Sequence, residues 1–567
     1  MSSCILSHKN RRVWSAIAWP GLLLASLILR FYRGGGSPFG MDYDQVREAY
    51  LASKLFQDFH VIVDNLMFLH LASLRLVQLV FGLGELSIHI HAACWFTLTL
   101  LPLYWLTSDL FGNIVARWGV LFLSFSVIGF TAPRVGHIPT LVPFFAFSAL
   151  LAGERLLRTG RYGYAALLGG MLGLGVFTFP TFKSVFLVLI GASLSIAWLA
   201  RSTTMSWKSW KQQVRFGRIG WSVVITAGVF LGVICWISFG LTGEPARLQS
   251  LKFIIFHYKS NGKFVSDLGH FLRNGLQIAS QILPVRYLAH PHYLIPRNTG
   301  YANALFYLSP LVGALVVAAF LAGTRIIRRL SQKCPFSQAA LSLSDSRNPP
   351  SEPLVSSAGL LVFWRKEYNW LFALWILGGG CVFAMLSDHT AARRWVYSWF
   401  WMYPLAAAAI FWGTRKYSRM LTGALLGLTL LSQVALVYYP YLCKPWRMQG
   451  PGPAVIDTMN EYCKRDYRVY ATHILHHWTR HYQQIVPLRN CGYDVVYGPV
   501  SEAQLTAPYA VFDIGDLYRP QRFNHPAPTM RFDDPPRGVA ITKFRDKWGF
   551  YDFKVTESLP PSKTQNQ

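Results

Sequence analysis

The chain has 567 residues, of which 52% are hydrophobic, 15% aromatic and only 14% charged. Soluble globular proteins carry about one quarter charged residues, so this composition, with a mean hydropathy of +0.29, argues against a soluble enzyme, a disordered chain or a fibrous protein. It points to a polytopic α-helical membrane protein whose apolar side chains face lipid. Lys and Arg total 54 against 26 Asp and Glu, an excess of +28. In a membrane protein that excess first implies basic cytoplasmic loops, and second a polyanionic substrate or lipid headgroup. Nucleic acid does not fit, because the basic residues are scattered between apolar runs.

The first apolar run, Val13 to Phe31, follows the basic stretch His8-Lys9-Asn10-Arg11-Arg12. No A-x-A-like cleavage site follows it, so a retained anchor is preferred over a signal peptide. Further runs lie near 61–83, 86–107, 118–131, 138–152, 164–179, 182–200, 218–240, 300–322, 370–387, 395–412 and 420–440. The loops at Arg155–Arg161, 201–218, 323–369 and Arg415–Arg419 are basic and read as cytoplasmic, as does the N-terminus. An even number of crossings must then precede Arg155, yet five runs do. One run therefore lies on the surface. The best candidate is 61–83, whose apolar pattern is interrupted by Asp64, His70, Arg75 and Gln78; it is expected to be an amphipathic helix on the outer membrane face.

About eleven transmembrane helices remain. Residues 1–440 form the membrane part. The loops 32–85 and 241–299 lie outside the cytoplasm, 323–369 is a cytoplasmic linker whose 331–357 stretch is rich in Ser and Pro, and 441–567 is a small extracytoplasmic C-terminal α/β domain. Alternating stretches such as Tyr467-Arg-Val-Tyr-Ala and Ala510-Val-Phe-Asp predict short strands there. Cys94, Cys235 and Cys381 fall inside apolar runs and read as small core residues, whereas Cys443, Cys463 and Cys491 leave room for one disulfide whose pairing is open.

Acidic residues are scarce, so the cluster Gly40-Met-Asp42-Tyr-Asp44-Gln45-Val-Arg47-Glu48 just beyond the first span is informative. An acidic pair at a membrane surface can serve as a general base or bind a divalent metal ion. Asp42 or Asp44 can equally cap the helix that begins near Gln45, the commoner role for an Asp in that position.

The order of short motifs resembles the GT-C superfamily of polytopic glycosyltransferases that use lipid-phosphate-linked sugars, in the branch holding protein O-mannosyltransferases and lipid A aminoarabinose transferases. Asp44-Gln45-Val-Arg47-Glu48-Ala49 matches the acidic motif of the family's first external loop, with Gln45 in place of the commoner Glu. Phe68–Gly84 corresponds to its external surface helix, which ends in Leu79-Val-Phe-Gly-Leu-Gly; the Pro-Pro-Leu usual at its start is absent. Asp109-Leu-Phe-Gly112 matches a turn after the following span, Arg134-Val-Gly-His137 an Arg with a short polar stretch, and Gly173 to Lys183 a Gly-Leu-x-x-x-Thr-Lys stretch with the Lys displaced. The resemblance covers roughly residues 10–240.

The resemblance implies an integral plasma (inner) membrane hexosyl- or pentosyltransferase, with its N-terminus cytoplasmic and its site extracytoplasmic. It would move a sugar, with inversion, from a polyprenyl-phosphate donor to a lipid, glycan or protein acceptor. Such a transfer needs a base for the acceptor and cations for the departing phosphate. Asp44 is the expected base, with Asp42 second. Arg134, His137, Lys183, Arg393 and Arg394 are the expected substrate-binding residues; the last two sit in Asp388-His389-Thr-Ala-Ala-Arg-Arg, against the positive-inside trend, where headgroup contact or pairing with Asp388 is an equal reading. No cofactor is called for beyond a possible divalent metal ion. His473, His477 and His481 have helical spacing that can hold zinc, but a polar helix face is the commoner outcome. Loop 241–299 is basic and reads as a solvated surface or a mobile substrate loop. The rival reading is a transporter or flippase of an anionic lipid-linked substrate, which should place charges in mid-span; here the spans are nearly free of charge. A third is a non-catalytic relative that binds through its C-terminal domain.

Overall fold

The structure is a computed structural model. It describes residues 43–55, 68–126, 138–159, 161–201, 365–385, 396–415, 417–437, 454–472, 492–496, 505–514, 539–545 and 551–558, with short helical pieces such as 222–230 and 271–276 between them. The described elements are α1 (Tyr43–Lys54), α2 (Phe68–Phe81), α3 (Glu85–Phe111), α4 (Asn113–Phe125), α5 (Val142–Thr159), α6 (Tyr162–Gly175), α7 (Ser184–Arg201), α8 (Arg365–Met385), α9 (Val396–Thr414), α10 (Arg419–Val437) and α11 (Ala454–Lys464). Five strands follow: β1 (Arg468–Thr472), β2 (Tyr493–Val496), β3 (Tyr509–Ile514), β4 (Val539–Arg545) and β5 (Tyr551–Ser558).

Helices α3 to α10 pack side by side around one apolar core that includes Phe122, Phe147, Phe372, Tyr397 and Trp401. Small residues let the backbones approach. A Cβ on Gly119 of α4 would stand 2.7 Å from Pro404 Cα in α9, and one on Gly169 of α6 would stand 2.6 Å from the Val223 carbonyl. The outside of this bundle is also apolar: Leu101, Ile190, Leu194, Ile225 and Leu431 are each more than half exposed. An apolar exterior around an apolar core is what a bilayer requires of its solute. Two described helices, Leu86–Phe111 and Tyr368–Met385, are long and apolar enough to cross a membrane. The expected spans at 86–107, 118–131, 138–152, 164–179, 182–200, 370–387, 395–412 and 420–440 fall on α3, α4, α5, α6, α7, α8, α9 and α10; those at 13–31, 218–240 and 300–322 lie mostly or wholly outside the described residues. The linker assigned to 323–369 gives way to α8 at Arg365.

One end of the bundle is tied by a polar knot. Arg155 Nε donates to Asp109 Oδ2 at 2.7 Å, and Arg158 Nη2 donates to the Asp109 carbonyl at 3.0 Å and to Asn369 Oδ1 at 3.1 Å. Arg158 also pairs with Glu154, which is fully buried. Between α3 and α4 the chain turns at Gly112, whose φ of 95° favours glycine, as the Asp-Leu-Phe-Gly motif led one to expect.

The other end gathers α1, α2 and the C-terminal sheet. The sheet order is β2-β1-β3-β5-β4, with β1 parallel to both β2 and β3 and the β3–β5 and β5–β4 pairs antiparallel. Strands were expected at the sequences that became β1 and β3. Their side chains alternate by face. Val469, Ala471, Ala510 and Phe512 join Phe553 and Val555 in a core shared with Ala49, Ala52, Leu71, Leu74 and Ile88 of α1, α2 and α3. Tyr470, Tyr509 and Val511 form a smaller cluster on the other face. Cys463, at the end of α11, is in a disulfide. Cys94 and Cys381 are free; Cys94 is exposed on the bundle exterior rather than in the core, because an apolar helix flank in a membrane protein faces lipid.

Candidate functional site

The acidic motif forms α1. Its backbone places Asp44 in the first turn and Glu48 one turn further on, about 6 Å along the axis. Asp42 and the side chains of Asp44, Gln45 and Arg47 lie outside the described residues. Helix α2 begins at Phe68, has 14 residues and stops before Gly82, whose φ of 79° ends it. At about 1.5 Å per residue its described part is roughly 21 Å long.

The buried and exposed faces of α2 differ from the sequence reading. His70 and Gln78 interrupt the apolar pattern and suggested a face turned to water. Instead they are buried, at 1% and 3% exposure, against α1. Gln78 Nε2 donates to the Ala49 carbonyl at 2.9 Å, and His70 Nε2 lies 2.9 Å from Glu48 Oε2. The face turned outward is apolar: Leu76, Leu79, Val80 and Phe81 are 63%, 61%, 74% and 51% exposed. A pattern of polar and apolar residues cannot by itself say which face meets protein when the other meets lipid.

Behind this contact stands α3. Its His91 is buried, meets the His70 ring edge-on at 4.9 Å between centroids, and places Nε2 2.7 Å from Ser73 Oγ of α2. Burial holds the His70 imidazole neutral, with its pKa down at about 4. A single-proton hydrogen bond, rather than an ion pair, therefore joins it to Glu48. This pair was not singled out from the sequence. Its signals were there: Glu48 in an acid-poor chain, and His70 inside an apolar helix.

Two turns join this end. The Leu69 N–H donates to the Phe177 carbonyl at 3.4 Å, which brings the segment leading to the tight turn Pro180–Lys183 beside the start of α2. Lys183 is half-buried there, and burial pulls its pKa down. Ser184 Oγ then meets the Tyr397 hydroxyl at 2.8 Å, at the start of α9. The second turn, Ile138–Leu141, packs on α1. Thus the segments around Asp44 and Lys183 reach one end of the bundle, and the described turn just after His137 joins them. Arg134, His137, Arg393 and Arg394 themselves lie outside the described residues, as do His473, His477, His481 and most of loop 241–299. Among the described residues no group of three His, Cys, Asp or Glu side chains is placed to hold a metal ion.

No family model matches the chain, and no curated protein matches it. Among solved structures it is similar to ArnT from Cupriavidus metallidurans in the apo state (13% identity, TM-score 0.41) and to the same protein bound to undecaprenyl phosphate (14%, TM-score 0.42), each match covering 96% of this chain and 100% of the other. It is also similar to the archaeal oligosaccharyltransferase AglB from Archaeoglobus fulgidus, in complex with an inhibitory peptide and a dolichol-phosphate (12%, TM-score 0.45), over 88% of this chain and 70% of that one.

Proposed function

We propose that the chain is an integral membrane glycosyltransferase that moves a sugar from a polyprenyl-phosphate donor to a lipid, glycan or protein acceptor outside the cytoplasm. The observation that carries this reading is the convergence at one bundle end of α1 with its Asp44 motif, the apolar-faced helix α2 and the turn holding Lys183. A donor whose lipid lies in the bilayer presents its phosphate at the interface, where such an end would stand. The disulfide at Cys463 supports an oxidising compartment for the sheet that shares the core of α1 and α2.

In the proposed reaction an acceptor oxygen or nitrogen attacks the anomeric carbon. The bond from that carbon to the phosphate oxygen breaks with its electron pair, and the configuration inverts. The acceptor proton passes to the Asp44 carboxylate, with Asp42 as the second candidate. The leaving polyprenyl phosphate is anionic. Lys183, with Arg134, His137, Arg393 and Arg394, would stabilise the charge that develops on it. Partial desolvation of Lys183 strengthens each interaction it makes with a phosphate. A divalent cation bound at the acidic motif would act on the same charge; transfer with and without a chelator tests that.

The deciding experiment is sugar transfer in reconstituted membranes, with radiolabelled polyprenyl-phosphate sugars and extracted lipids and glycans. Wild-type activity that is lost in Asp44→Asn, while the variant stays folded, supports the reading. Equal activity in Asp44→Asn removes Asp44 from the base role. No transfer by wild type from any donor favours the transporter or flippase instead.

A further inference from the structure

Glu48, His70 and His91 form a buried polar chain across three helices whose shared core includes Ala49, Ala52, Leu71, Leu74 and Ile88. As a source of stability the arrangement is poor. Apolar residues of like volume would pack there without desolvating a carboxylate and two imidazoles. Among the described residues the Nδ1 atoms of both His70 and His91 are buried with no hydrogen-bond partner, which a contact serving stability alone would not carry. What the pair supplies is direction. An apolar contact tolerates rotation and sliding of one helix on another, whereas a hydrogen bond between His70 Nε2 and Glu48 Oε2 at 2.9 Å fixes both. Gln78, bonded to the Ala49 carbonyl two turns further along α2, fixes the same helix at a second point.

We propose that Glu48 and His70 are positioning residues for the transfer reaction. Their buried contact sets the rotation and height of α1 on α2, and so the place where Asp44, one turn away, meets the acceptor. His91, held by Ser73, backs the His70 ring. The inference rests on the transferase reading and adds to it which groups outside the reacting shell must stay in place.

The test compares wild type, Glu48→Gln, Glu48→Leu and Glu48→Leu/His70→Leu in reconstituted membranes, using whichever radiolabelled donor the wild type accepts. Thermal unfolding and hydrogen exchange of residues 43–54 are measured on each. The double-leucine variant is expected to unfold at or above the wild-type temperature and keep the donor KM, yet lose at least about tenfold in kcat, as misplacement of a reacting group does. Glu48→Gln, which keeps the hydrogen bond, is expected to stay within about threefold of wild-type kcat. Should the double variant not fold, Glu48→Leu against Glu48→Gln gives the same comparison, with faster exchange confined to 43–54 in Glu48→Leu. Wild-type kcat in the leucine variants overturns the proposal, and so does a loss of activity that only follows a loss of folded protein. Wild type that transfers from no donor overturns the transferase reading itself and this role with it, an outcome distinct from the other two.

Discussion

The hydroxyls of Ser184 and Tyr397 lie 2.8 Å apart and are both buried, joining the residue after Lys183 to the start of α9. Arg393 and Arg394 stand four and three residues before Tyr397 in the sequence. Tyr397→Phe leaves the Ser184 hydroxyl with its bond to the Thr181 carbonyl and removes the link between the two segments. Stability should fall by about 1 kcal/mol, the usual worth of one hydrogen bond. If Lys183 and the two arginines share the leaving phosphate, kcat should fall, because the charge they meet develops in the transition state. Thermal unfolding and donor titration read the two effects separately.

The polar knot at the opposite end predicts a different pattern. Arg158 is the partner of the fully buried Glu154. Arg158→Met should cost about 3–5 kcal/mol, the penalty for stranding a buried charge. Adding Glu154→Gln should recover a large part of it. Any transfer activity per folded molecule should stay at the wild-type level in the double variant, because this end is remote from α1 and α2. Denaturation and activity of the two variants check both statements.

Glycine spacing makes a third prediction. A Cβ on Gly119 would stand 2.7 Å from Pro404 Cα, whereas one on Gly163 meets nothing within 4 Å. Gly119→Ala should destabilise by about 1–3 kcal/mol through overpacking. Gly163→Ala, inside α6, should instead gain about 0.5–1 kcal/mol from helix propensity. The two unfolding temperatures should move in opposite directions.

Acidification should weaken the Glu48–His70 contact. His70 has a folded pKa of about 4 against an ordinary 6.5. Between those values the unfolded chain binds a proton on this residue that the folded chain refuses, so stability falls as pH drops through the window and is unaffected above it. His70→Leu should flatten that part of the stability–pH curve. A curve of unchanged slope in the variant assigns the effect to another group.

Much of the bundle can be read directly from the sequence, because long apolar runs between basic loops leave few alternatives. Helix α3, the turn at Gly112 and strands β1 and β3 all fall where hydropathy, glycine and alternation put them. The parity of the loops also singled out the segment that holds α2. The packing of α2 is what the sequence hides. His70 and Gln78 read as water-facing because hydropathy ranks residues against water, whereas this helix stands between protein and an apolar exterior. The Glu48–His70 contact joins residues 22 positions apart on separate helices, and no local spacing rule reports such a pairing. The cationic side of the proposed site was read from motifs, and only Lys183 of it falls among the described residues.

The core that α1 and α2 share with the C-terminal sheet has a consequence for biosynthesis. Leu71 and Ala52 leave the ribosome long before Phe553 and Val555, with which they share a core. Everything between them must therefore be made before the acidic helix has this support. Contacts of such sequence separation form late and slowly. A nascent chain would thus carry its acidic motif in an unfinished setting throughout synthesis, and a stop codon shortly before β5 would leave a bundle in the membrane without the floor on which α1 rests.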